Sequence, residues 1–304
     1  MSELAKAGIT DPQLIASYTE CKRLNSLHGK TYYLATLLLP PEKRPYVHAL
    51  YGFARYADEI VDDLASTLSD AEKRKTLEEW STQILSDLKA GISHDHIGAA
   101  LIDTVNKFSI DHSYFTAFLH SMAMDLTKSE YANFDELMEY VYGSANVIGL
   151  QMLPILGTAN GAPITKEIRD AAEKLGTAFQ LANFIRDIGE DLERGRIYIP
   201  LDELARFGVT PAMLYAAKLT PEIIEAIKFQ IERVRRLQRE SQPGISLLHP
   251  SSQACINAAS ELYCGIVDEV EKIGYDVFTQ RAKTSTWRRI TVALPAYFSA
   301  LAHR

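Results

Sequence analysis

Two segments of the sequence each place four polar side chains at intervals of three or four residues, which is the spacing of one face of an α-helix. The members are Tyr51, Arg55, Asp58 and Asp62 in the first segment and Gln180, Asn183, Asp187 and Asp191 in the second. A helix in a packed protein normally carries aliphatic side chains on the face that meets its neighbours. The two segments therefore predict two helices whose polar faces border a common cavity.

Each polar face ends in an Asp-x-x-x-Asp pair. Like charges four residues apart destabilise a helix by about 0.2–0.5 kcal/mol, and a second pair across the cavity would add to this repulsion. A cation between the pairs would relieve it. Ligands that are all oxygen suit Mg²⁺, with Mn²⁺ as an alternative, and Mg²⁺ usually completes its shell with water and substrate phosphates. The pattern thus indicates a metal-dependent enzyme that acts on a diphosphate.

An exposed acidic helix face is the alternative explanation for each pair. Apolar residues adjoining both pairs argue against it, because charges are rarely surrounded by apolar groups without a partner. These residues are Ala57, Ile60, Val61, Phe184, Ile185 and Ile188. Arg55, three residues before Asp58, has a planar guanidinium that can bind a diphosphate through two hydrogen bonds or orient a carboxylate.

Helical periodicity extends over most of the chain, and the alternation typical of strands is nearly absent. Capping residues predict helix starts at Asn133, Thr165 and Thr220. Stops or turns are predicted at Pro40-Pro41, Gly91, 157–163, Gly195, Gly208 and Pro243-Gly244. No linker divides the chain, so the sequence predicts one all-α domain over residues 1–304, with ten or more helices joined by short loops.

The net charge of -7 argues against nucleic-acid binding, which requires a basic surface. The three cysteines have no metal-binding spacing and do not suggest a disulfide framework, so a reducing cytoplasm is expected. No apolar run reaches the ~18–20 residues of a membrane span, and the first residues lack the apolar region of a signal peptide.

The C-terminal segment has two interpretations. It contains Trp287, Arg288, Arg289, Ile290, Leu294, Tyr297, Phe298 and Leu301. This composition is typical of a basic amphipathic helix that lies on a membrane surface, which would make the protein a peripheral membrane protein. The simpler interpretation, a final helix that packs on the core, is favoured because amphipathic helices generally bury their apolar face in this way.

Four segments resemble signatures of the squalene/phytoene synthase family. They are HGKTY (28–32), ADEIVD (57–62), YVYGSANVIG (140–149) and GTAFQLANFIRDIGED (176–191) with RGRIYIP (194–200). The similarity spans about residues 20–290, and the fourth segment is the most specific. Within the family, GYDVF (274–278) followed by Arg281 is most similar to bacterial phytoene synthases.

The resemblance implies the all-α isoprenoid synthase fold, with a central cavity and two aspartate-rich motifs facing each other across its mouth. It implies that metal ions are held by Asp58, Asp62, Asn183, Asp187 and Asp191. It further implies that the diphosphates contact His28, Lys30, Tyr51, Arg55, Gln180, Tyr263 and Arg281. Tyr51 is also a candidate for catalysis with the four aspartates, although a core tyrosine with a satisfied hydroxyl is nearly as good an interpretation of Tyr51 and Tyr263. Aliphatic residues beneath the aspartates are expected to form the cavity wall: Leu34, Ala35, Val147, Ile148 and Leu181.

The resemblance also implies a reaction. Two molecules of geranylgeranyl diphosphate would condense head to head, through a cyclopropyl diphosphate intermediate, to phytoene in carotenoid biosynthesis, without NADPH. Released diphosphate or a nearby tyrosine would accept the proton. The alternatives are a farnesyl diphosphate-using synthase of dehydrosqualene, presqualene diphosphate or squalene, a terpene cyclase, and a non-catalytic scaffold. Reductive squalene formation is disfavoured because relatives that perform it generally have a longer C-terminal membrane anchor.

Overall fold

A computed structural model describes residues 2–62 and 68–302, except for the side chains of residues 62, 70, 286, 299, 301 and 302. This part of the chain is helical, and no strand occurs in it. Its α-helices are α1 (Glu3–Lys6), α2 (Pro12–His28), α3 (Lys30–Thr36), α4 (Arg44–Asp62), α5 (Asp70–Ala90), α6 (Gly98–Phe108), α7 (His112–Met124), α8 (Phe134–Val141), α9 (Val147–Leu156), α10 (Lys166–Glu193), α11 (Leu201–Arg206), α12 (Pro211–Tyr215), α13 (Pro221–Ser246), α14 (Pro250–Cys264), α15 (Ile266–Lys272) and α16 (Thr286–Ala302).

The predicted helix starts are confirmed by their capping hydrogen bonds. Asn133 Oδ1 accepts from the backbone N–H of Glu136 at 2.9 Å, at the start of α8. The Thr165 and Thr220 hydroxyls accept in the same way at the starts of α10 and α13. Each cap satisfies one of the backbone donors that a helix leaves unpaired in its first turn.

The stop predicted at Pro243-Gly244 is wrong, because α13 continues through both residues to Ser246. Gly244 lies where α13 meets α10, and a Cβ atom built on it would come within 2.2 Å of the Ala171 side chain. The glycine is therefore explained by close packing between two helices. A local reading of the sequence cannot distinguish this use of glycine from a helix stop.

The long helices α10 and α13 pack along each other, and α4 packs on α2. In α10, the side chains of Leu181, Ile185 and Ile188 are buried in the core. In α4, Phe53 and Ala57 are fully buried. The polar faces predicted from the sequence occupy the other sides of α4 and α10, where they line a cavity.

A π-helical turn, Tyr142–Asn146, connects α8 to α9 and packs against α7 and α10. A Cβ atom on Gly143 would lie 2.2 Å from the carbonyl oxygen of Ala117 in α7, so only glycine permits this approach. Thr177 in α10 donates a hydrogen bond to Asn146 Oδ1 at 2.8 Å. The turn thereby places Ser144 and Ala145 on the cavity wall beside α10.

None of the described helices is both long and apolar enough to cross a bilayer. The last helix, α16, packs on α14 and α3 and buries Val292 and Ala300. Its largest apolar side chains nevertheless remain exposed, Trp287 to 73% and Phe298 to 62%. The helix thus packs on the core with one face only.

Candidate functional site

A cavity of about 1270 Å³ lies among α2, α3, α4, α9, α10, α13 and α14. Every predicted site residue with a described side chain lines it: His28, Lys30, Tyr51, Arg55, Asp58, Gln180, Asn183, Asp187, Asp191, Tyr263 and Arg281. The side chain of Asp62 is outside the described part of the structure, so its assignment stays a prediction. Residues from distant parts of the sequence thus meet at one site.

On α4, the acidic side chains are paired with cations. Arg55 donates from Nη1 to Asp58 Oδ2 at 2.7 Å and from Nε to Glu59 Oε1 at 3.0 Å. His28 Nε2 lies 3.5 Å from the same oxygen of Glu59. Asp58 has 44% of its side chain exposed, so its carboxylate is accessible to a ligand.

On α10, Asp187 accepts hydrogen bonds from two arginines. Arg186 donates from Nε to Oδ1 at 2.7 Å and from Nη2 to Oδ2 at 2.5 Å. Arg281 donates from Nε to Asp187 Oδ1 at 2.8 Å and lies 3.2 Å from Glu190. Burial alone would raise the pKa of Asp187, but the hydrogen bonds and charges of both arginines outweigh it and lower that pKa. Asp187 is therefore ionised at neutral pH.

These arginines change the electrostatic argument made from the sequence. Arg55 compensates Asp58, while Arg186 and Arg281 compensate Asp187. Repulsion between like charges therefore does not by itself require a metal ion at this site. The case for a metal depends on the oxygen ligands that the cavity offers.

Asn183 provides the clearest evidence for an oxygen atom that could bind a metal ion. Its Oδ1 atom is buried, lies on α10 one turn before Asp187, and has no hydrogen-bond donor among the described residues. A buried acceptor without a donor is costly, by about 1–3 kcal/mol, unless something binds it. Asp191, one turn beyond Asp187, is also buried, with Arg194 Nη1 at 3.8 Å. The donor set of carboxylate and amide oxygens fits Mg²⁺ or Mn²⁺.

In the described part of the chain, no three histidine, cysteine or acidic side chains are grouped closely enough to form a metal site by themselves. Mg²⁺ commonly uses one or two carboxylates and takes its other ligands from water and substrate phosphates. The arrangement therefore suits an ion that arrives with a diphosphate better than an ion held permanently by protein ligands.

Aromatic rings form another part of the wall. The ring of Tyr32 lies 4.4 Å from that of Tyr263 and 6.1 Å from that of Tyr51, and Phe179 stacks on Tyr263 at 4.9 Å between centroids. Burial raises the pKa of Tyr32 to about 12, and it raises the pKa values of Tyr51 and Tyr263 further. These phenols are therefore neutral and protonated at physiological pH.

Asp125 is a polar group of the cavity that the sequence patterns do not indicate. It accepts hydrogen bonds from the hydroxyls of Tyr140 at 2.6 Å and Tyr198 at 2.9 Å, and all three residues line the cavity. Tyr140 belongs to a segment that resembles the family, but Asp125 is a single acid at the end of α7 with no repeating spacing. Its partners become visible only in the folded chain.

The expected apolar wall is partly wrong. Ala35 and Ile148 line the cavity, whereas Leu34 is exposed and Val147 and Leu181 are buried in the core outside the lining. Additional wall residues come from helices that carry no polar motif: Met152, Leu153, Leu156, Leu175, Ile245 and Leu248. Residues of one helix that are only one position apart lie on different faces, so a small error in orientation misplaces them.

The comparisons with known proteins agree with this geometry. The profile of the family described as squalene/phytoene synthase matches residues 26–288. A phytoene synthase from Arthrospira platensis is 37% identical over 90% of both chains. Phytoene synthase 2 from Solanum lycopersicum is 38% identical over 95% of this chain and 92% of that protein.

A crystal structure of a dehydrosqualene synthase superposes with a TM-score of 0.84 at 25% identity, covering 99% of this chain and 100% of the other. A squalene synthase from Alicyclobacillus acidocaldarius superposes with a TM-score of 0.78 at 24% identity, covering 88% and 98%. The structure has the isoprenoid synthase helical fold, which confirms the fold predicted from the sequence. The family match also confirms the expected prenyltransferase class, and the chain belongs to the squalene/phytoene synthase family.

Proposed function

We propose that this protein is a phytoene synthase that condenses two molecules of geranylgeranyl diphosphate head to head. The relatives named phytoene synthase support this reaction over the farnesyl diphosphate alternatives. The observation that carries the proposal is the cavity, in which both polar helix faces meet an apolar and aromatic wall. Its volume of about 1270 Å³ exceeds the ~300–1,000 Å³ of pockets for one drug-sized ligand, in keeping with two substrates.

The cationic residues of the cavity suit diphosphate binding. Arg55 and Arg281 have planar guanidinium groups that can bind phosphate through two hydrogen bonds, and Lys30 and His28 line the same cavity. Tyr51 is protonated and can donate a hydrogen bond to an anionic phosphate oxygen. In a chain of net charge -7, these local cations are what attracts an anionic substrate.

Asp58, Asn183, Asp187 and Asp191 are the residues that would hold Mg²⁺ or Mn²⁺, with Asp62 as a further candidate. A bound divalent ion would stabilise the negative charge that develops on the departing diphosphate. The protein itself orients these oxygens, since Arg55 and Arg186 each fix one carboxylate.

The apolar wall excludes water, so the carbocation formed on ionisation meets the second substrate's double bond before any other nucleophile. The faces of Tyr32, Phe179 and Tyr263 are electron-rich and stabilise a nearby cation by about 0.5–2 kcal/mol each. Because the phenols of Tyr32 and Tyr263 are neutral, they do not add a nucleophilic oxyanion to the cavity. The first coupling would release one diphosphate and one proton and give a cyclopropyl diphosphate. Its ionisation would release the second diphosphate, and rearrangement with loss of another proton would give the symmetric hydrocarbon.

The test is product analysis by chromatography after incubation with geranylgeranyl or farnesyl diphosphate, with and without NADPH. We expect phytoene from geranylgeranyl diphosphate without NADPH, loss of product on chelation, and recovery with Mg²⁺ or Mn²⁺. A hydrocarbon formed only from farnesyl diphosphate with NADPH would assign the protein to squalene synthesis. No product from either substrate would favour the non-catalytic scaffold.

A further inference from the structure

The arginines that line the cavity differ in whether they have an acidic partner. Five of them belong to the described part of the chain. Four lie 2.5–3.8 Å from a carboxylate, namely Arg55, Arg186, Arg194 and Arg281. The fifth, Arg289, has no ion-pair or hydrogen-bond partner for its guanidinium among the described residues. It is therefore a positive charge that this part of the fold leaves without a counter-charge.

The burial of Arg289 makes this arrangement unfavourable for the protein alone. Its Nε atom is buried, and the side chain as a whole is only partly exposed. A buried cationic donor without an acceptor loses its hydration and gains nothing in return, so such groups normally have a partner. A guanidinium is planar and forms two parallel hydrogen bonds with phosphate oxygens. A phosphate group would thus supply both the missing acceptor and the missing negative charge.

The preceding residue, Arg288, holds this part of α16 in place. It donates from Nη2 to Asp268 Oδ2 at 2.8 Å and from Nη1 to Glu269 Oε1 at 3.2 Å, both on α15. A Cβ atom on Gly265 would lie 2.2 Å from Arg288 Nη2, so the glycine leaves the space that this guanidinium occupies. Consecutive residues of a helix point about 100° apart, and Arg289 lines the cavity whereas Arg288 does not. The ion pairs of Arg288 therefore fix the direction in which Arg289 points.

Two lysines share the properties of Arg289. Lys283, in the segment before α16, and Lys30, at the start of α3, line the cavity and have no acidic partner in the described part of the chain. The helix α16 packs on α3, which brings the two segments together. Lysine binds phosphate as a point charge. These unpaired cations contrast with Arg55 and Arg186, whose charges are already used to hold carboxylates.

We propose that Arg289, assisted by Lys283 and Lys30, binds a diphosphate group without a metal ion. This site differs from the candidate metal site because its charged groups are all cationic. The proposed reaction brings two diphosphate groups into the cavity and releases both, so the ligand is either the diphosphate of a substrate or the free anion after its release. The inference rests on the proposed function for this choice of ligand only.

The test is equilibrium dialysis of the full chain with radiolabelled inorganic diphosphate in the presence of EDTA. We expect the wild type to bind the anion and Arg289→Gln to bind it at least about tenfold more weakly. Arg289→Lys keeps the charge but loses the planar group, so its affinity should lie between the two. The matched control is Arg239→Gln, which removes one exposed arginine outside the cavity and should bind like the wild type.

Thermal melting separates this role from a structural one. Because Arg289 has no partner to lose among the described residues, Arg289→Gln should melt at the wild-type temperature or above it. A lower melting temperature would show that the arginine stabilises the fold, and this would overturn the proposal. Equal diphosphate binding by the wild type and Arg289→Gln would also overturn it, as would no binding by the wild type in EDTA or an equal loss in Arg239→Gln.

A competition experiment identifies the source of the diphosphate. An unreactive thiolodiphosphate analogue of geranylgeranyl diphosphate is added to the same dialysis. Displacement of the labelled anion would assign the site to the substrate, whereas retention would assign it to the released anion. Since no turnover is measured, a chain that forms no phytoene could still bind diphosphate through Arg289, and a phytoene-forming chain could lack this binding. Failure of the inference and failure of the proposed function are therefore distinguishable.

Discussion

At the scale of single residues, Asp187 is both a candidate metal ligand and the partner of two arginines. Its side chain is 17% exposed, and it neutralises Arg186, which is 19% exposed. It also accepts a hydrogen bond from Arg281, which comes from a distant part of the chain. Asp58, in contrast, is 44% exposed and paired with Arg55 of its own helix. The two aspartates should therefore differ in their importance for stability even if both serve the reaction.

We predict that Asp58→Asn and Asp187→Asn each lower turnover at least about 100-fold, because each removes a charge needed where negative charge develops. Asp187→Asn should also destabilise the fold by about 1–3 kcal/mol, since Arg186 is left without its counter-charge. Asp58→Asn should change stability by less than about 1 kcal/mol. If like-charge repulsion in α10 were the main effect, Asp187→Asn would increase stability. Because the arginine partners lose their counter-charge, we expect stability to decrease instead.

Turnover assays and thermal melting curves on the same preparations measure both effects. Near wild-type turnover in either variant would contradict the metal assignment. A melting temperature for Asp187→Asn equal to that of Asp58→Asn would contradict the structural role of the Arg186 pair.

Thr36 is the second residue whose environment leads to a prediction. It is buried on the cavity wall, where its hydroxyl donates to the Tyr32 carbonyl at 2.8 Å. Thr36→Phe should fill part of the cavity, and overpacking typically costs about 1–3 kcal/mol. A twenty-carbon tail should suffer more than a fifteen-carbon tail, so kcat/KM for geranylgeranyl diphosphate should fall about tenfold relative to farnesyl diphosphate.

Competition between the two substrates measures this ratio directly. Thr36→Val, which conserves shape, is the matched control and should leave the ratio as it is. If Thr36→Phe also leaves the ratio unchanged, the residue does not contact the substrate tails.

At the scale of secondary-structure elements, α10 positions a loop as well as a polar face. A Cβ atom on Gly189 would lie 2.6 Å from the carbonyl oxygen of Val277 and 3.3 Å from that of Phe278. The close approach of this loop to α10 brings Arg281, three residues after Phe278, to Asp187. The glycine is thus required by the backbone contact that completes the arginine pair.

We predict that Gly189→Ala weakens substrate binding several-fold by moving the loop away from α10. Kinetic constants should be measured for Gly189→Ala, Arg281→Ala and the double variant. If the glycine acts through Arg281, the two effects will not add, because the second substitution finds the interaction already lost. Additive effects would show that the loop acts in another way.

A further result at this scale concerns α2 and α3. A single helix from His28 to Thr36 would place Thr36 about 12 Å along the axis from His28. The structure instead ends α2 at His28 and begins α3 at Lys30, with Gly29 between them. A Cβ atom on Gly29 would lie 2.6 Å from the Tyr51 ring, so this glycine permits α4 to approach the junction.

At the scale of the whole molecule, one buried ion-pair network lies away from the cavity. Glu203 in α11 is 6% exposed and forms hydrogen bonds with Gln230 and Arg233 of α13, and none of the three lines the cavity. Burial would raise the pKa of Glu203, but the Arg233 and Gln230 hydrogen bonds lower it. This network joins two helices on a part of the molecule that does not contact substrate.

We predict that Glu203→Gln lowers the free energy of unfolding by about 2–3 kcal/mol at neutral pH while leaving kcat unchanged at a temperature where the variant is folded. Because the folded-state pKa of Glu203 is depressed, its stabilisation is fully present above the unfolded-state pKa of about 4.3 and is lost as pH falls through the folded-state value. Denaturant titrations should therefore show a difference between variant and wild type that shrinks below about pH 4. A constant difference at all pH values would mean that the charge is not responsible.

The sequence alone determined the features that depend on neighbours within one or two helical turns. The helix starts at Asn133, Thr165 and Thr220 and the polar faces of α4 and α10 belong to this class, because capping and amphipathic spacing are local. The resemblance added the family and the predicted site residues. Those residues meet in one cavity, most of them from helices and Arg281 from the loop before α16.

The tertiary structure decided the features that require two distant segments to meet. Arg281 pairs with Asp187, the hydroxyls of Tyr140 and Tyr198 meet at Asp125, and Gly244 packs on Ala171 instead of ending α13. These contacts depend on how each helix is rotated about its axis and on where its neighbours lie, and periodicity contains no information on either. For the same reason, the apolar pattern predicts that α16 is amphipathic but does not specify which of its apolar side chains are buried. In the structure, the largest of them are exposed.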